Sequence, residues 1–201
     1  HPPRQGGAGT ACQAVLDFQV AAAGRIEHQG FVPGLYPQPL QVGQGGQVAR
    51  HVETAREKLA ALLNADPSEI IFTSCGTESD NMAIRGAAEA FDDKIRVITS
   101  RVEHPAVLTT CRHLKERGLD VDEIGVDASG QINLAELQKA LAHGPAVVSI
   151  MWANNETGVI FPIEEITRMV KEAGSIMHTD AVQAVGKIPI DLEKLPVDML
   201  S

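Results

Sequence analysis

The sequence predicts an α/β protein built on a mostly parallel sheet with flanking helices, and two observations predict it. Short apolar runs of strand length recur along the chain, and stretches with helical spacing of apolar residues separate them. Alternation of that kind packs helices on both faces of a parallel sheet. A third observation points to a site. Polar segments follow directly on the apolar runs at Glu103-His104-Pro105, Asn154-Asn155-Glu156-Thr157-Gly158 and His178-Thr179-Asp180-Ala181-Val182-Gln183. In open α/β sheets ligands bind beyond the carboxyl ends of the strands, so these loops are expected to share one edge.

Residues 1–46 are rich in glycine and proline and show no clean periodicity, so no regular element is expected there and order is expected from Gln47. Val48, Val52, Ala55, Leu59 and Leu62 then fall at helical spacing, with Arg50, Glu53, Arg56 and Glu57 on the other faces. Asn64-Ala65-Asp66-Pro67 stops that helix. Strands are predicted over 70–73, 95–99, 121–126, 147–150 and 175–178, and helices over 79–90, 106–117, 134–142 and 163–173. A further apolar strand begins near Met199, where the chain stops, and the first residue is not Met. The expectation is an incomplete domain: a segment 1–46 that stands apart, and a partial ligand-binding domain over 47–201.

With 201 residues the chain is long enough for one α/β domain with a sizeable core. Seventeen basic against twenty-six acidic side chains leave a charge of −9, which argues against nucleic acid or an anionic membrane surface as the main partner. No apolar run approaches the roughly 18 residues of a membrane span. Cys12, Cys75 and Cys111 are odd in number and lack metal-ligand spacing, so no metal is expected, and a reducing cytoplasm is.

The candidate site residues each admit two readings. In the stretch Ile70–Asn81, Gly76 permits close backbone approach, and Thr77 with the free N–H groups of the following helix can hold a phosphate; equally, Thr77 or Ser79 can simply cap that helix. His104 offers a flat imidazole for proton transfer, or an ordinary structural hydrogen bond. The amides of Asn154 and Asn155 can grip a hydroxyl or a carboxylate, or close their own turn. A buried Asp180 needs a cationic or hydrogen-bonding partner. The protonated nitrogen of a pyridoxal ring is one such cation.

Together, Thr73-Ser74-Cys75-Gly76-Thr77-Glu78-Ser79-Asp80-Asn81, Val102-Glu103-His104, Asn154–Gly158 and His178–Gln183 resemble, in order and spacing, the cysteine desulfurases of the NifS/IscS type. These are fold-type-I, pyridoxal-phosphate-dependent transferases of the class-V aminotransferase family. The resemblance runs from about Gln47 to Ser201, and Ser74–Thr77 and Met151–Asn155 look most like the nitrogenase-associated branch. It implies an aminotransferase-like large domain that binds pyridoxal 5'-phosphate. Gly76 and Thr77 would hold the phosphate, and His104 would stack on the ring and serve in proton transfer. Asn155 and Gln183 would meet the ring hydroxyl, and Asp180 would pair with the ring nitrogen. L-cysteine would become alanine, with its sulfur passed as a persulfide to a mobile-loop cysteine. From there it would reach an iron–sulfur scaffold protein and, through it, nitrogenase clusters, in a cytoplasmic homodimer. Selenocysteine lyase, another lyase of the same fold type, or a non-catalytic truncated piece would share the same segments.

Departures from the family pattern also carry expectations. The family's cofactor-binding lysine follows the Asp-Met-Leu-Ser segment within Ser-x-His-Lys, and the chain ends at Ser201. Lys187 and Lys194 do not occupy that motif, and the family's sulfur-accepting cysteine lies further along. Cys75 is expected as a small packing residue, and the 201-residue chain alone as inactive. The family's early Asn-Ala-Thr-Thr and Gly-Asn-Pro-Ser-Ser segments do not occur in residues 1–46. A reading-frame slip accounts for this, since codons for His1–Gly7 can be chosen whose one-base shift reads Thr-Pro-Arg-Ala-Arg-Val-Glu.

Overall fold

The computed structural model describes residues 20–23, 45–91 and 95–201. Among the described residues seven strands form one sheet: β1 Val20–Ala23, β2 Ile70–Phe72, β3 Arg96–Ser100, β4 Val121–Ile124, β5 Ala146–Ser149, β6 Ile176–Thr179 and β7 Met199–Leu200. Their order across the sheet is β2-β1-β7-β6-β5-β3-β4. Five helices cover it: α1 Gly45–Leu63, α2 Gly76–Glu89, α3 Pro105–Glu116, α4 Leu134–Leu141 and α5 Ile163–Glu172.

The pairs β3·β4, β3·β5, β5·β6 and β6·β7 are parallel. Strand β1 is antiparallel to both β2 and β7. Reversing direction twice makes β2 run the same way as β7, so β2, β3, β5 and β6 all deliver their carboxyl ends to one edge. The chain leaves β3 towards β4 on one side and returns as β5 on the other, which makes the β3–β5 gap the topological switch point.

Successive strand residues face opposite sides, and two hydrophobic clusters fill the two faces. Ile98, Val148, Met177 and Leu200 pack with Ala60 and Leu63 of α1, Leu137 of α4, and Ile166 and Val170 of α5. Their neighbours Val97, Val147, Ile176 and Met199 pack with Ala83, Ile84 and Ala87 of α2, and Val107, Cys111 and Leu114 of α3. Burial on both faces is why these strands read as continuous apolar runs.

Three expectations change. The first strand, within the segment thought to lack regular structure, is Val-Ala-Ala-Ala, too short and too small to signal itself. It and the start of α1 are the described parts of residues 1–46; the rest of that segment, with the expectation of a frame slip, lies outside the described residues. The apolar stripe of α1 lies where expected at Val52, Ala55 and Leu59, but its last turn departs: Ala60 and Leu63 are buried while Leu62 is 56% exposed. Its end is as expected, with Asn64 left-handed at φ 55°. Finally, the fourth strand stops at Ile124, and Val126 instead bridges Ile132.

Ile98, on β3 between β5 and the edge strand β4, is fully buried. We predict that Ile98→Ala, made in the complete gene product, lowers unfolding stability by about 2–5 kcal/mol through lost burial and the cavity left behind. Chemical denaturation measures this, and a loss under about 1 kcal/mol would show that the site collapses around the smaller side chain.

Candidate active site

At the shared edge lies a cavity of about 320 Å³, in the range of small-molecule sites. The β2–α2 turn lines it with Cys75, Gly76 and Thr77, and α2 adds Asp80. The loop after β3 brings His104, the loop after β5 brings Met151, Ala153 and Asn155, and the turn after β6 brings Asp180, Val182 and Gln183. All six site residues expected from the sequence, Gly76, Thr77, His104, Asn155, Asp180 and Gln183, therefore meet in one cavity.

The turn before α2 is shaped by its own first turn. Glu78 Oε2 accepts from the Ser74 amide and hydroxyl, both at 2.6 Å, which holds its carboxyl below the usual range. Cys75 is the N-cap, and no side-chain hydrogen bond closes the helix end. Neither Thr77 nor Ser79 serves as that cap; Ser79 Oγ lies 2.7 Å from Ser201 Oγ instead. The expectation that Cys75 packs internally is wrong. It is exposed, and the Glu78 N–H, the Ser74 hydroxyl and the Thr77 N–H hold its thiol below the usual value. A helix start favours a thiolate for the same reason that it favours other anions.

Two loops meet at the switch point and are stitched by Glu103, which the sequence named without a role, and by Asn154. Glu103 accepts the Ser100 hydroxyl at 2.6 Å and the Met151 amide at 3.0 Å, tying the loop after β3 to the loop after β5. Asn154 Nδ2 donates to the Val102 carbonyl at 3.0 Å, a second tie between the same loops. Its Oδ1 accepts from the Glu156 and Thr157 amides, so Asn154 closes its own turn while Asn155 faces the cavity. The signal available for both was position: a polar group directly after a fully apolar run must find a partner.

His104 caps α3, with Nδ1 accepting from the Ala106 amide at 3.2 Å, and Pro105 occupies the first helical position. That bond leaves the proton of the neutral ring on Nε2. Gln183 Oε1 accepts from Lys187 Nζ, and Lys194 pairs with Asp191. Neither lysine lines the cavity.

Beneath the cavity the charges are few and desolvated. Asp180 Oδ1 accepts the Val182 amide at 3.0 Å, and burial pushes its carboxyl up. Asp80 is raised to about 7, by burial first and then by the charge of Asp180, with the Ser201 hydroxyl opposing. Burial raises Glu103 to about 8 against the hydrogen bonds from Ser100 and Met151. His178, expected as part of the site segment, lies inside the sheet rather than in the cavity. It is fully buried and neutral, its pKa depressed to about 3 by desolvation.

The family profile described as Aminotransferase class-V matches residues 41–201 of this chain. The chain belongs to that family. A cysteine desulfurase of Nostoc sp. (strain PCC 7120 / SAG 25.82 / UTEX 2576) is 55% identical over 157 residues, which are 78% of this chain and 39% of that protein. Cysteine desulfurase NifS of Azotobacter vinelandii is 51% identical over 158 residues, again 78% of this chain and 39% of the relative. The solved structure of a NifS-like protein superposes with a TM-score of 0.76 at 45% identity, covering 81% of this chain and 45% of that one. The chain thus spans about two fifths of the length of the curated relatives it matches.

Glu103 sets a pH dependence. A carboxyl whose folded value is raised from 4.5 to about 8 favours folding while protonated, and that contribution is lost as pH climbs between those values. His178 acts at the other side: depressed from 6.5 to about 3, it withdraws stability as pH falls through that interval. We predict that Glu103→Gln, which keeps a neutral acceptor for the Met151 amide, loses less stability than wild type between about pH 5 and about pH 8. Equal losses in denaturation curves would remove Glu103 from this role.

Proposed function

We propose that this chain forms the cofactor-binding part of a pyridoxal-5'-phosphate-dependent cysteine desulfurase. The complete protein would convert L-cysteine to alanine as a cytoplasmic homodimer, passing sulfur to an iron–sulfur scaffold protein and, through it, to nitrogenase clusters. The supporting observation is the convergence of Thr77, His104, Asn155, Asp180 and Gln183 on one cavity, joined to the likeness to curated cysteine desulfurases.

The residues fit the cofactor on chemical grounds. Asp180 is a buried carboxylate whose hydrogen-bond partner is one backbone amide, and such a group calls for a cation. The start of α2 has no side-chain cap, so it can receive a phosphate. Bound pyridoxal phosphate supplies an electron sink for the carbanion left when the substrate Cα loses its proton.

Around it the chain's own groups bind, orient and move protons. Thr77 and Gly76, with the α2 N-terminus, would hold the phosphate, while Asn155 and Gln183 would hold the ring hydroxyl and Asn155 would also orient the substrate carboxylate. Asp180 would keep the ring nitrogen protonated. His104 would serve in proton transfer, and because Nδ1 is tied to Ala106 its exchangeable proton is at Nε2. The lysine that carries the cofactor and the cysteine that accepts sulfur are assigned to residues other than Lys187, Lys194 and Cys75.

The complete gene product is expected to be yellow when purified; colourless protein after added cofactor would count against the assignment. Asp180→Ala should lower alanine formation by about 100- to 1000-fold, the usual worth of one such electrostatic contact, while colour is largely kept. Near wild-type alanine formation by that variant would remove Asp180 from the mechanism. The 201-residue chain by itself should form no alanine from cysteine; steady turnover free of host enzyme would relocate the essential groups. Assaying selenocysteine beside cysteine separates a desulfurase from a selenocysteine lyase.

A further inference from the structure

Asp80 has no part in the reading above, yet it lines the same cavity as Asp180. It lies one turn inside α2 from Gly76, is 2% exposed, and its Oδ1 has no hydrogen-bond partner among the described residues. That oxygen is 3.8 Å from His178 Nε2. The imidazole is already engaged at both nitrogens, by Ser149 Oγ at 2.9 Å and by Ser201 Oγ at 3.0 Å. A neutral ring so engaged offers no positive charge to Asp80. Asp80 and Asp180 are thus two carboxyl groups lining one desolvated cavity, where His104 is the side chain whose charge opposes that of Asp180 and the neutral His178 beside Asp80 supplies none; such pairs do not both ionise readily.

We propose that Asp80 is a positioning residue for the ring-nitrogen end of the cofactor site: it holds a proton while the cavity lacks positive charge and releases it when a protonated pyridine nitrogen docks on Asp180. The proposal rests on the pyridoxal-phosphate reading. Its chemistry is one proton: the Asp80 O–H bond breaks, the proton leaves to solvent, and the arriving cation balances the new charge. Retention of the proton keeps the empty pocket from carrying two adjacent negative charges, and its release strengthens the field on the ring nitrogen.

The groups facing Asp80 from the surrounding elements can be placed. Asp180 and His178 come from β6 and the turn after it, and Glu103 from the loop after β3. His104, from the start of α3, and Cys75, before α2, line the same cavity. His178 is neutral above about pH 3 and Glu103 stays protonated to about pH 8. In between, Asp80, raised to about 7, is the buried acid beside Asp180 with a proton to release.

The test uses pyridoxamine 5'-phosphate, which has the ring and phosphate but no aldehyde, and the complete apoprotein. Binding is followed by fluorescence between about pH 5.5 and about pH 7.5, in wild type and in Asp80→Asn. A released proton makes wild-type affinity rise with pH, by up to about tenfold per unit. The neutral variant should lose at least about threefold of that rise, because the probe titrates alike in both proteins and the variant has no Asp80 proton to release. Identical slopes would overturn the role of Asp80. If Asp80→Asn fails to fold, as judged by thermal unfolding, Asp80→Ser carries the same comparison. The two readings fail differently: no binding by wild type at any pH overturns the cofactor assignment and this role with it, whereas binding with an unchanged slope overturns this role alone.

Discussion

Parallel strands cannot be joined by tight turns, so β2, β3, β4 and β5 are each followed by a helix that crosses back over one face and β6 by a long connection. Both faces of this sheet are therefore buried, and polar side chains are driven to the strand ends. Everything at the site follows from that constraint. Four strands running in one direction end at one edge, and the residues directly beyond them, Gly76 and Thr77, His104, Asn155 and Asp180, meet there although more than a hundred residues separate the first from the last. The crossover helices supply the depth of the cavity, and the change of direction between β3 and β5 supplies its opening.

The polar groups that remain inside the sheet are held by one another. Ser149, His178, Ser201 and Ser79 form a continuous buried chain from β5 through β6 to α2. Ser201 is also fixed by its backbone, which accepts from the Ala181 amide and donates to the Thr179 carbonyl. The neutrality of His178 is a consequence of this setting, since desolvation disfavours the imidazolium. The same desolvation acts with opposite sign on Asp80, Asp180 and Glu103. A pocket floor built from desolvated acids thus favours whatever cation enters it.

Position in the loops is set just as firmly. Glu103 and Asn154 each precede a cavity residue and each reach across the switch point to the other loop. Binding residues and their holders are therefore neighbours in sequence, one facing the cavity and one facing the protein. That division explains why two adjacent asparagines, alike in chemistry, have unlike roles.

The sequence by itself determined the α/β alternation and the parallel sheet, and the resemblance carried by its polar segments singled out the six residues that line the cavity. Periodicity and the punctuation of apolar runs by polar segments are local properties, and they survive any change in how the elements are arranged. It determined less where the signal was small or where partners lie far apart in the chain. Val20–Ala23 carries too little side chain to mark a strand, and its place between β2 and β7 depends on two distant strands. The exposure of Leu62, and of Cys75 at the cavity mouth, depends on how α1 and α2 are rolled against the sheet, which only packing sets. Asp80 was visible as a letter in a motif. Its meeting with Asp180 and His178, a hundred residues further along, was decided by the tertiary structure, because charge interactions in a desolvated interior depend on distances that no local pattern encodes.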